Sequence, residues 1–119
     1  MRDGAASVSD LEPQAVKVGN LVFTSGQIPV DPATGDIPEG IAAQAERSCL
    51  NVAAILNAAG SDMSRVIKTT CFLADMGDFA AFNEVYAKYI TSAPARSCFA
   101  VKDLPKGALV EVEVIAYLA

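Results

Sequence analysis

The sequence predicts an α+β domain in which one mixed β-sheet carries two helices on a single face. Two stretches place apolar residues at helical spacing, and the stretches around them are rich in β-branched residues. The elements follow in the order β-β-α-β-α-β-β, with no internal repeat. For 119 residues we expect a single domain over 1–119, beginning with a loose segment at 1–13.

The first two strands lie in the stretch QAVKVGNLVFTSGQIP, residues 14–29. The pair Gly19-Asn20 divides this stretch, and such a pair supplies the positive φ that a tight hairpin needs. Pro29 ends the second strand, because proline has no N–H to donate to a sheet. The next stretch, VDPATGDIPEG, holds two prolines and two glycines, so we expect a loop.

Two helices follow from changes in the hydrophobic period. The first runs from Ile41 to Ala59 and stops at Gly60, a residue type that commonly ends helices. Its apolar face consists of Ile41, Ala45, Cys49, Val52, Leu56 and Ala59. The second helix lies in GDFAAFNEVYAKYI, with Asp78 as the expected N-cap. Its expected buried stripe consists of Phe79, Phe82, Tyr86 and Tyr89.

Three further strands complete the predicted sheet. The stretch VIKTTCFLA, residues 66–74, is rich in β-branched residues and is expected to be a central strand. Residues 97–102 and 108–118 form the last two strands, with DLPKG between them. Both helices cover the same face, so the other face has no cover from this chain. Since small monomers tolerate only limited exposed apolar area, we expect an oligomer.

Alternation in the last two strands groups charged side chains. Glu111 and Glu113 point to one side with apolar neighbours, and valines point to the other. In the preceding strand, Arg96 and Cys98 share a side. If these two strands pair, an arginine and a carboxylate lie near one small cavity. The same residues also fit an ordinary charged strand face with a structural ion pair, and spacing alone leaves both interpretations open.

Composition excludes several classes of function. The net charge is −5, and the nine basic residues are scattered, which disfavours nucleic-acid binding. The chain contains no histidine, which removes the usual general base and metal ligand. Its three widely spaced cysteines resemble neither a disulfide framework nor a zinc site. The cysteine pattern therefore predicts a reducing, cytoplasmic setting. No apolar run is long enough for a bilayer, so we expect no membrane partner.

Three segments of the sequence resemble one protein family. They are QAVKVGNLVFTSGQIPVDPATG, VIKTTCFLADMGDFAAFNEVYAKY and PARSCFAVKDLPKGALVEVEVIA, and together they resemble the RidA family, also called the YjgF family. The resemblance implies a chorismate-mutase-like fold and a homotrimer with three clefts between subunits. It also implies hydrolysis of reactive 2-enamine/2-imine intermediates, such as 2-iminobutyrate and 2-iminopropionate, to 2-keto acids and ammonia, with no metal or cofactor.

The resemblance also implies roles for individual residues. Arg96 matches the arginine that binds the substrate carboxylate, and a guanidinium can grip a carboxylate with two parallel hydrogen bonds. Glu111 matches the acidic residue that orients the attacking water. The other expected cleft residues are Ser25 and Gly26 beside the imine nitrogen, Cys98 through its backbone, and Asn83 as a support.

One segment departs from the family pattern. Active members carry Gly-Pro-Tyr before the part that matches QAVKVGN, whereas this chain reads SDLEPQ. Glu12, or a deletion, therefore stands at the position of the tyrosine that closes the cleft. The stretch between Ile90 and Pro94 is also short. An alternative function stays open, namely a trimer that binds small carboxylates or keto acids and senses metabolites, with weak or no catalysis.

Overall fold

The computed structural model describes residues 13–118. The first hairpin consists of β1 (Ala15–Val18) and β2 (Leu21–Thr24), and α1 (Ile41–Ala59) follows it. The chain then forms β3 (Val66–Leu73), α2 (Phe79–Tyr89), β4 (Ala95–Ala100) and β5 (Val110–Tyr117). The predicted order of elements is confirmed. The segment at 1–13 that was predicted to be loose lies, apart from Pro13, outside the described residues.

The five strands form one mixed sheet in the order β1-β2-β5-β3-β4. Strands β3 and β4 are parallel, and every other neighbouring pair is antiparallel. The parallel pair follows from α2, because a helix that connects two adjacent strands returns the chain to the same end of the sheet. The sheet is therefore built from a hairpin and two crossovers.

Strands β4 and β5 do not pair, because β3 lies between them. The condition for one cavity shared by Arg96 and a carboxylate of β5 is therefore not met within the chain. Position 96 on β4 pairs with Thr69 of β3, while Glu111 on β5 pairs with Phe72 of β3. The segment between β4 and β5 crosses the end of β3, where Val101 donates to the Leu73 carbonyl and Ala74 donates to the Leu109 carbonyl. Strand β4 is thus an edge strand, and β5 is the middle strand.

Both helices pack on one face of the sheet, as predicted. Helix α1 has the predicted bounds and ends at Gly60, whose φ of 90° is left-handed. The fully buried side chains between helices and sheet include Val22, Val52, Leu56, Cys71, Leu73, Phe82, Val110 and Val112. No helix within residues 13–118 is long and apolar enough to cross a membrane.

Helix α2 differs from prediction in two respects. Asp78 occupies the N-cap position but its side chain makes no capping hydrogen bond. Asp75 instead accepts from the Gly77 N–H at 2.7 Å, because a short 3-10 turn precedes the helix. The predicted aromatic stripe is only partly buried: Phe82 is inaccessible, whereas Phe79, Tyr86 and Tyr89 are half-buried. Two of these rings turn towards β4.

The opposite face of the sheet carries exposed aromatic side chains. Phe23, Phe99 and Tyr117 keep 37%, 45% and 41% of their surface accessible. Phe72 and Phe99, which are register partners, form an edge-to-face pair with centroids 5.3 Å apart. Neither helix covers this face, which we call the open face.

Candidate active site

Arg96 lies on the helix face of β4, against α2. Its guanidinium carbon is 4.8 Å from the ring centroid of Tyr86 and 5.3 Å from that of Phe79. Its Nη1 donates a hydrogen bond of 2.6 Å to Oδ1 of Asn83. The side chain is exposed, and no carboxylate of residues 13–118 forms an ion pair with it. A held guanidinium with unused N–H groups is a receptor for a planar anion such as a carboxylate.

Cys98 lies two residues along β4 on the same face as Arg96. It is half-buried and pairs in register with the buried Cys71. Burial raises the pKa of the Cys98 thiol, against the opposing charge of Arg96. A thiol with a raised pKa holds little thiolate at neutral pH, so the side chain is a poor nucleophile. The expected role of Cys98 through its backbone stays a prediction.

Glu111 lies on the open face of β5, directly beneath Gly26. A methyl group added to Gly26 would lie 2.7 Å from Cδ and 3.0 Å from Cγ of Glu111. Real side chains do not approach this closely, so the glycine allows the carboxylate to rest against the backbone. Gly26 is thus required for space at this point of the chain.

The segment around Gly26 is fixed by hydrogen bonds on both sides. The Ser25 N–H and Oγ both donate to the Gln14 carbonyl, at 2.9 and 3.1 Å. Gln27 exchanges backbone hydrogen bonds with Val112, and its side-chain amide donates to Oε1 of Gln14. These hydrogen bonds therefore fix the position of the loop Ser25–Gly26 relative to β5. The Ser25 hydroxyl is already engaged in a hydrogen bond to a backbone carbonyl.

The predicted site residues form two groups, one on each face of the sheet. Arg96, Asn83 and Cys98 lie on the helix face. Ser25, Gly26 and Glu111 form the other group, and the Glu111 side chain is on the open face. Within one chain the structure does not bring the two groups together, because β3 and the thickness of the sheet separate them. The roles that the resemblance implies for these residues stay predictions.

The open face also holds a shallow depression of about 140 Å³. It is lined by Phe23, Thr24, Lys68, Thr70, Glu113, Val114 and Ile115. None of the predicted site residues lines it, and Lys68 there donates to Oγ of Ser97 at 3.0 Å. The depression is therefore separate from both groups of predicted residues.

Comparison with known proteins decides the family. Residues 6–118 match the model of the family described as Endoribonuclease L-PSP. The chain belongs to this family, the RidA (YjgF) family. Relatives include a RutC family protein of Sinorhizobium fredii, 51% identical over 107 residues, which are 88% of this chain and 85% of that protein. The 2-iminobutanoate/2-iminopropanoate deaminase of Escherichia coli is 48% identical over 107 residues, 87% of this chain and 84% of that one.

A solved structure agrees with the RidA assignment. RidA from an Antarctic Psychrobacter bacterium superimposes with a TM-score of 0.89 at 43% identity, covering 99% of this chain and 96% of that chain. The resemblance expected from the sequence is thus confirmed, and so is the α+β fold. The position of the RidA tyrosine, where we expect Glu12 or a deletion, lies outside the described residues.

Sequence reasoning missed two contacts in this RidA chain. Phe79 and Tyr86 were expected in the core stripe of α2, yet both rings contact the guanidinium of Arg96. A signal was present in the spacing, since Phe79, Asn83 and Tyr86 follow at i, i+4 and i+7 on one helical face. Which strand this face meets was not readable from the spacing.

Proposed function

We propose that this chain hydrolyses 2-enamine/2-imine intermediates, with 2-iminobutanoate and 2-iminopropanoate as substrates, to 2-keto acids and ammonia. The observation that carries the proposal is the exposed guanidinium of Arg96, which two rings and Asn83 hold while its other N–H groups stay available. A 2-imino acid offers a carboxylate for this group. The name of the Escherichia coli relative supports the same reaction.

In the proposed reaction, the substrate carboxylate forms two hydrogen bonds with Arg96. Glu111 accepts a proton from a water molecule, which adds to the carbon of the protonated C=N bond. Glu111 then gives this proton to the nitrogen of the carbinolamine. As the C–N bond breaks and ammonia leaves, Glu111 accepts the hydroxyl proton, the keto group forms, and the proton passes to ammonia or solvent. Ser25 and Gly26 flank the nitrogen. Because a protonated imine is already electrophilic, positioning and electrostatics suffice for this chemistry.

We propose that the site is completed between copies of the chain in a homotrimer. Arg96 and Glu111 lie on opposite faces of one sheet, so they can meet on one substrate only if a neighbouring copy supplies one of them. The open face, with exposed Phe23, Phe99 and Tyr117, offers apolar area for such contacts. Three chains of 12.4 kDa give a mass of about 37 kDa for a closed cyclic assembly.

Mixing two inactive variants tests both the site and the assembly. Arg96→Ala and Glu111→Gln proteins are measured separately, and then after coexpression or subunit exchange, with imines generated in situ by a dehydratase. In a randomly mixed trimer, about one quarter of the clefts pair an intact arginine with an intact glutamate. We expect about one quarter of the wild-type activity to return.

Mixing Arg96→Ala with Arg96→Lys is the matched control, because no cleft regains an intact arginine. If Arg96→Ala and Glu111→Gln restore nothing after verified exchange, the two residues do not act across a subunit boundary. Light scattering that finds a stable monomer at micromolar concentration contradicts the trimer as well.

A second candidate is a trimer that binds small carboxylates or keto acids without hydrolysis. It is favoured by the N-terminal departure from the family pattern, in which Glu12, or a deletion, stands at the position of the tyrosine that closes the cleft in active members. Wild-type protein that binds 2-oxobutanoate through Arg96 but hydrolyses no imine would support this candidate. The family description also mentions a ribonuclease, but a net charge of −5 disfavours the phosphate contacts that RNA binding needs. We place the protein in a reducing cytoplasm, in keeping with its three free cysteines.

A further inference from the structure

The hydroxyl of Tyr86 connects α2 to the centre of the sheet. It lies 2.8 Å from Oγ1 of Thr69, a fully buried residue of β3. Thr69 is also the register partner of Arg96 on β4. Thr69 thus fixes the hydroxyl of Tyr86, and the ring of Tyr86 contacts the guanidinium of Arg96. These three residues close a triangle between β3, α2 and β4, and we call the Tyr86–Thr69 pair the brace.

Three side chains of α2 contact one arginine, each in a different way. Phe79 and Tyr86 contact the guanidinium with their rings, and Asn83 between them accepts one N–H. A guanidinium has five N–H groups in a plane, so a single hydrogen bond leaves most of them available. Contact with two rings restricts rotation of that plane, and the Asn83 bond determines which edge is occupied. The edge of the Arg96 guanidinium that does not bond Asn83, which we call the free edge, is therefore held in one orientation.

We propose that Tyr86 is a positioning residue: held by Thr69, its ring sets the orientation in which Arg96 presents its free edge to a substrate carboxylate. This inference rests on the proposed function of Arg96 as a carboxylate receptor. Arginine has many rotamers, and ordering it before the ligand arrives reduces the entropy lost on binding. The brace thus favours binding without contact between Tyr86 and the ligand.

The chemistry of Tyr86 agrees with positioning and not with proton transfer. Burial raises the pKa of the Tyr86 hydroxyl above its ordinary value of 10.0, against the opposing effect of the Thr69 hydrogen bond. The hydroxyl therefore stays protonated throughout the neutral range. It neither gives nor takes a proton there, and its hydrogen bond to Thr69 persists.

Two variants remove the brace from its two ends. Tyr86→Phe keeps the ring but loses the hydroxyl, and Thr69→Val loses the partner. Tyr89→Phe is the matched control, because Tyr89 lies one turn further along α2, and its hydroxyl bonds Glu46 at 2.9 Å instead of reaching towards Arg96. All proteins are compared as intact folded assemblies, with unfolding midpoints measured alongside.

The first readout is the Arg96 Nε–H resonance in ¹H–¹⁵N spectra without ligand. The chain has four arginines, and Arg96→Lys assigns the signal by its loss. In the wild type we expect a sharp signal shifted by the adjacent rings, and in both brace variants a broadened or moved one. An unchanged signal in Tyr86→Phe and Thr69→Val overturns the inference, whatever the enzyme assay finds.

The second readout is affinity, measured as the Kd for 2-oxobutanoate and as KM and kcat for imine hydrolysis. We expect Tyr86→Phe to raise Kd and KM about 3- to 10-fold, with kcat nearly unchanged. The reason is that an ordered Arg96 helps to bind the substrate and the transition state equally. The double variant should match each single one, since both remove the same bond. Equal losses in Tyr89→Phe, or a fall in kcat alone, would contradict a positioning role.

These readouts separate the inference from the proposed function. A wild type with an ordered Arg96 signal that responds to both brace variants, but with no imine turnover, overturns the hydrolase proposal and supports the brace. A wild type with full imine turnover, but with an Arg96 signal that neither brace variant changes, supports the hydrolase proposal and overturns the brace.

Discussion

Arg96 and Glu111 of one chain lie on opposite faces of the same β-sheet. Arg96 pairs with the buried Thr69 and faces α2, whereas Glu111 pairs with Phe72 on the open face. Each has its own supporting residues, Asn83 and Tyr86 for the arginine and Gly26 for the glutamate. The proposed trimer site therefore takes these two side chains from different chains.

Arg96→Lys should be nearly as damaging as Arg96→Ala. A lysine has neither the planar face that contacts the two rings nor the fork that binds a carboxylate at two points. We expect kcat/KM for imine hydrolysis to fall about 30- to 1000-fold in both variants. If the lysine variant keeps most of its activity, Arg96 supplies only a positive charge.

Glu111→Gln should reduce imine hydrolysis about 10²- to 10⁴-fold, the span for a positioned acid–base group. The Kd for 2-oxobutanoate should hardly change, because the keto-acid carboxylate binds at Arg96. Glu113→Gln is the control, since Glu113 is two residues along the same strand face and opposite Thr70, while the atoms nearest to a methyl group on Gly26 belong to Glu111. Equal, small effects of both substitutions would identify an ordinary charged strand face.

Gly26→Ala should displace the Glu111 carboxylate while leaving the fold intact. The added methyl group meets mainly the far end of a flexible side chain, which can turn away at little cost. We expect kcat/KM to fall about 10- to 100-fold, as for a small misplacement of a reacting group, and the free energy of unfolding to change by less than about 1 kcal/mol. Full activity with a normal urea midpoint would show that the position of Glu111 is unimportant.

Ser48→Ala should stabilise the protein. Ser48 is fully buried on α1, and its hydroxyl has no hydrogen-bond partner among the described residues. Removing an unsatisfied buried hydroxyl should raise the free energy of unfolding by about 1 kcal/mol. Ser61→Ala is the opposite case, because the Ser61 hydroxyl donates to the Tyr117 carbonyl at 2.7 Å. The urea midpoint should therefore rise in Ser48→Ala and fall in Ser61→Ala. A lower midpoint in both variants would contradict an unsatisfied hydroxyl at Ser48.

Stability should fall in alkali because of two buried thiols. Burial raises the pKa of Cys49 and of Cys71 from 9.0 to about 12. Between these values the unfolded thiols lose protons that the folded ones keep, so the unfolded state binds fewer protons and stability decreases as pH rises. Each thiol contributes a slope of about 1.4 kcal/mol per pH unit.

Urea unfolding at several pH values across this window measures the slope, and Cys49→Ala removes one of the two thiols. The stability contributed by the thiols is fully present below about pH 9 and is lost towards about pH 12. If the free energy of unfolding of Cys49→Ala falls with pH as steeply as that of the wild type, groups other than this thiol cause the loss of stability in alkali.

Local pattern was sufficient for the existence and order of the elements, although β4 spans Ala95–Ala100 and not the predicted 97–102. The period of apolar residues and the stop at Gly60 predicted both ends of α1, and Gly19-Asn20 predicted the hairpin. These features depend on neighbours within a few residues, as helix ends and tight turns do. Asp78 has the predicted N-cap position of α2 but makes no capping hydrogen bond, because Asp75 caps a preceding 3-10 turn that is not visible as a period.

By itself the sequence determined the elements and their order, the uncovered face of the sheet, and, through its resemblance, the family and the candidate residues Arg96 and Glu111. Only the tertiary structure decided that β3 separates the strands of these two residues, so that they face opposite ways. It also turned Phe79 and Tyr86 from the predicted core stripe towards Arg96. The physical reason is that alternation assigns a side chain to one of two faces, whereas the neighbour of a strand depends on how a crossover returns the chain to the sheet.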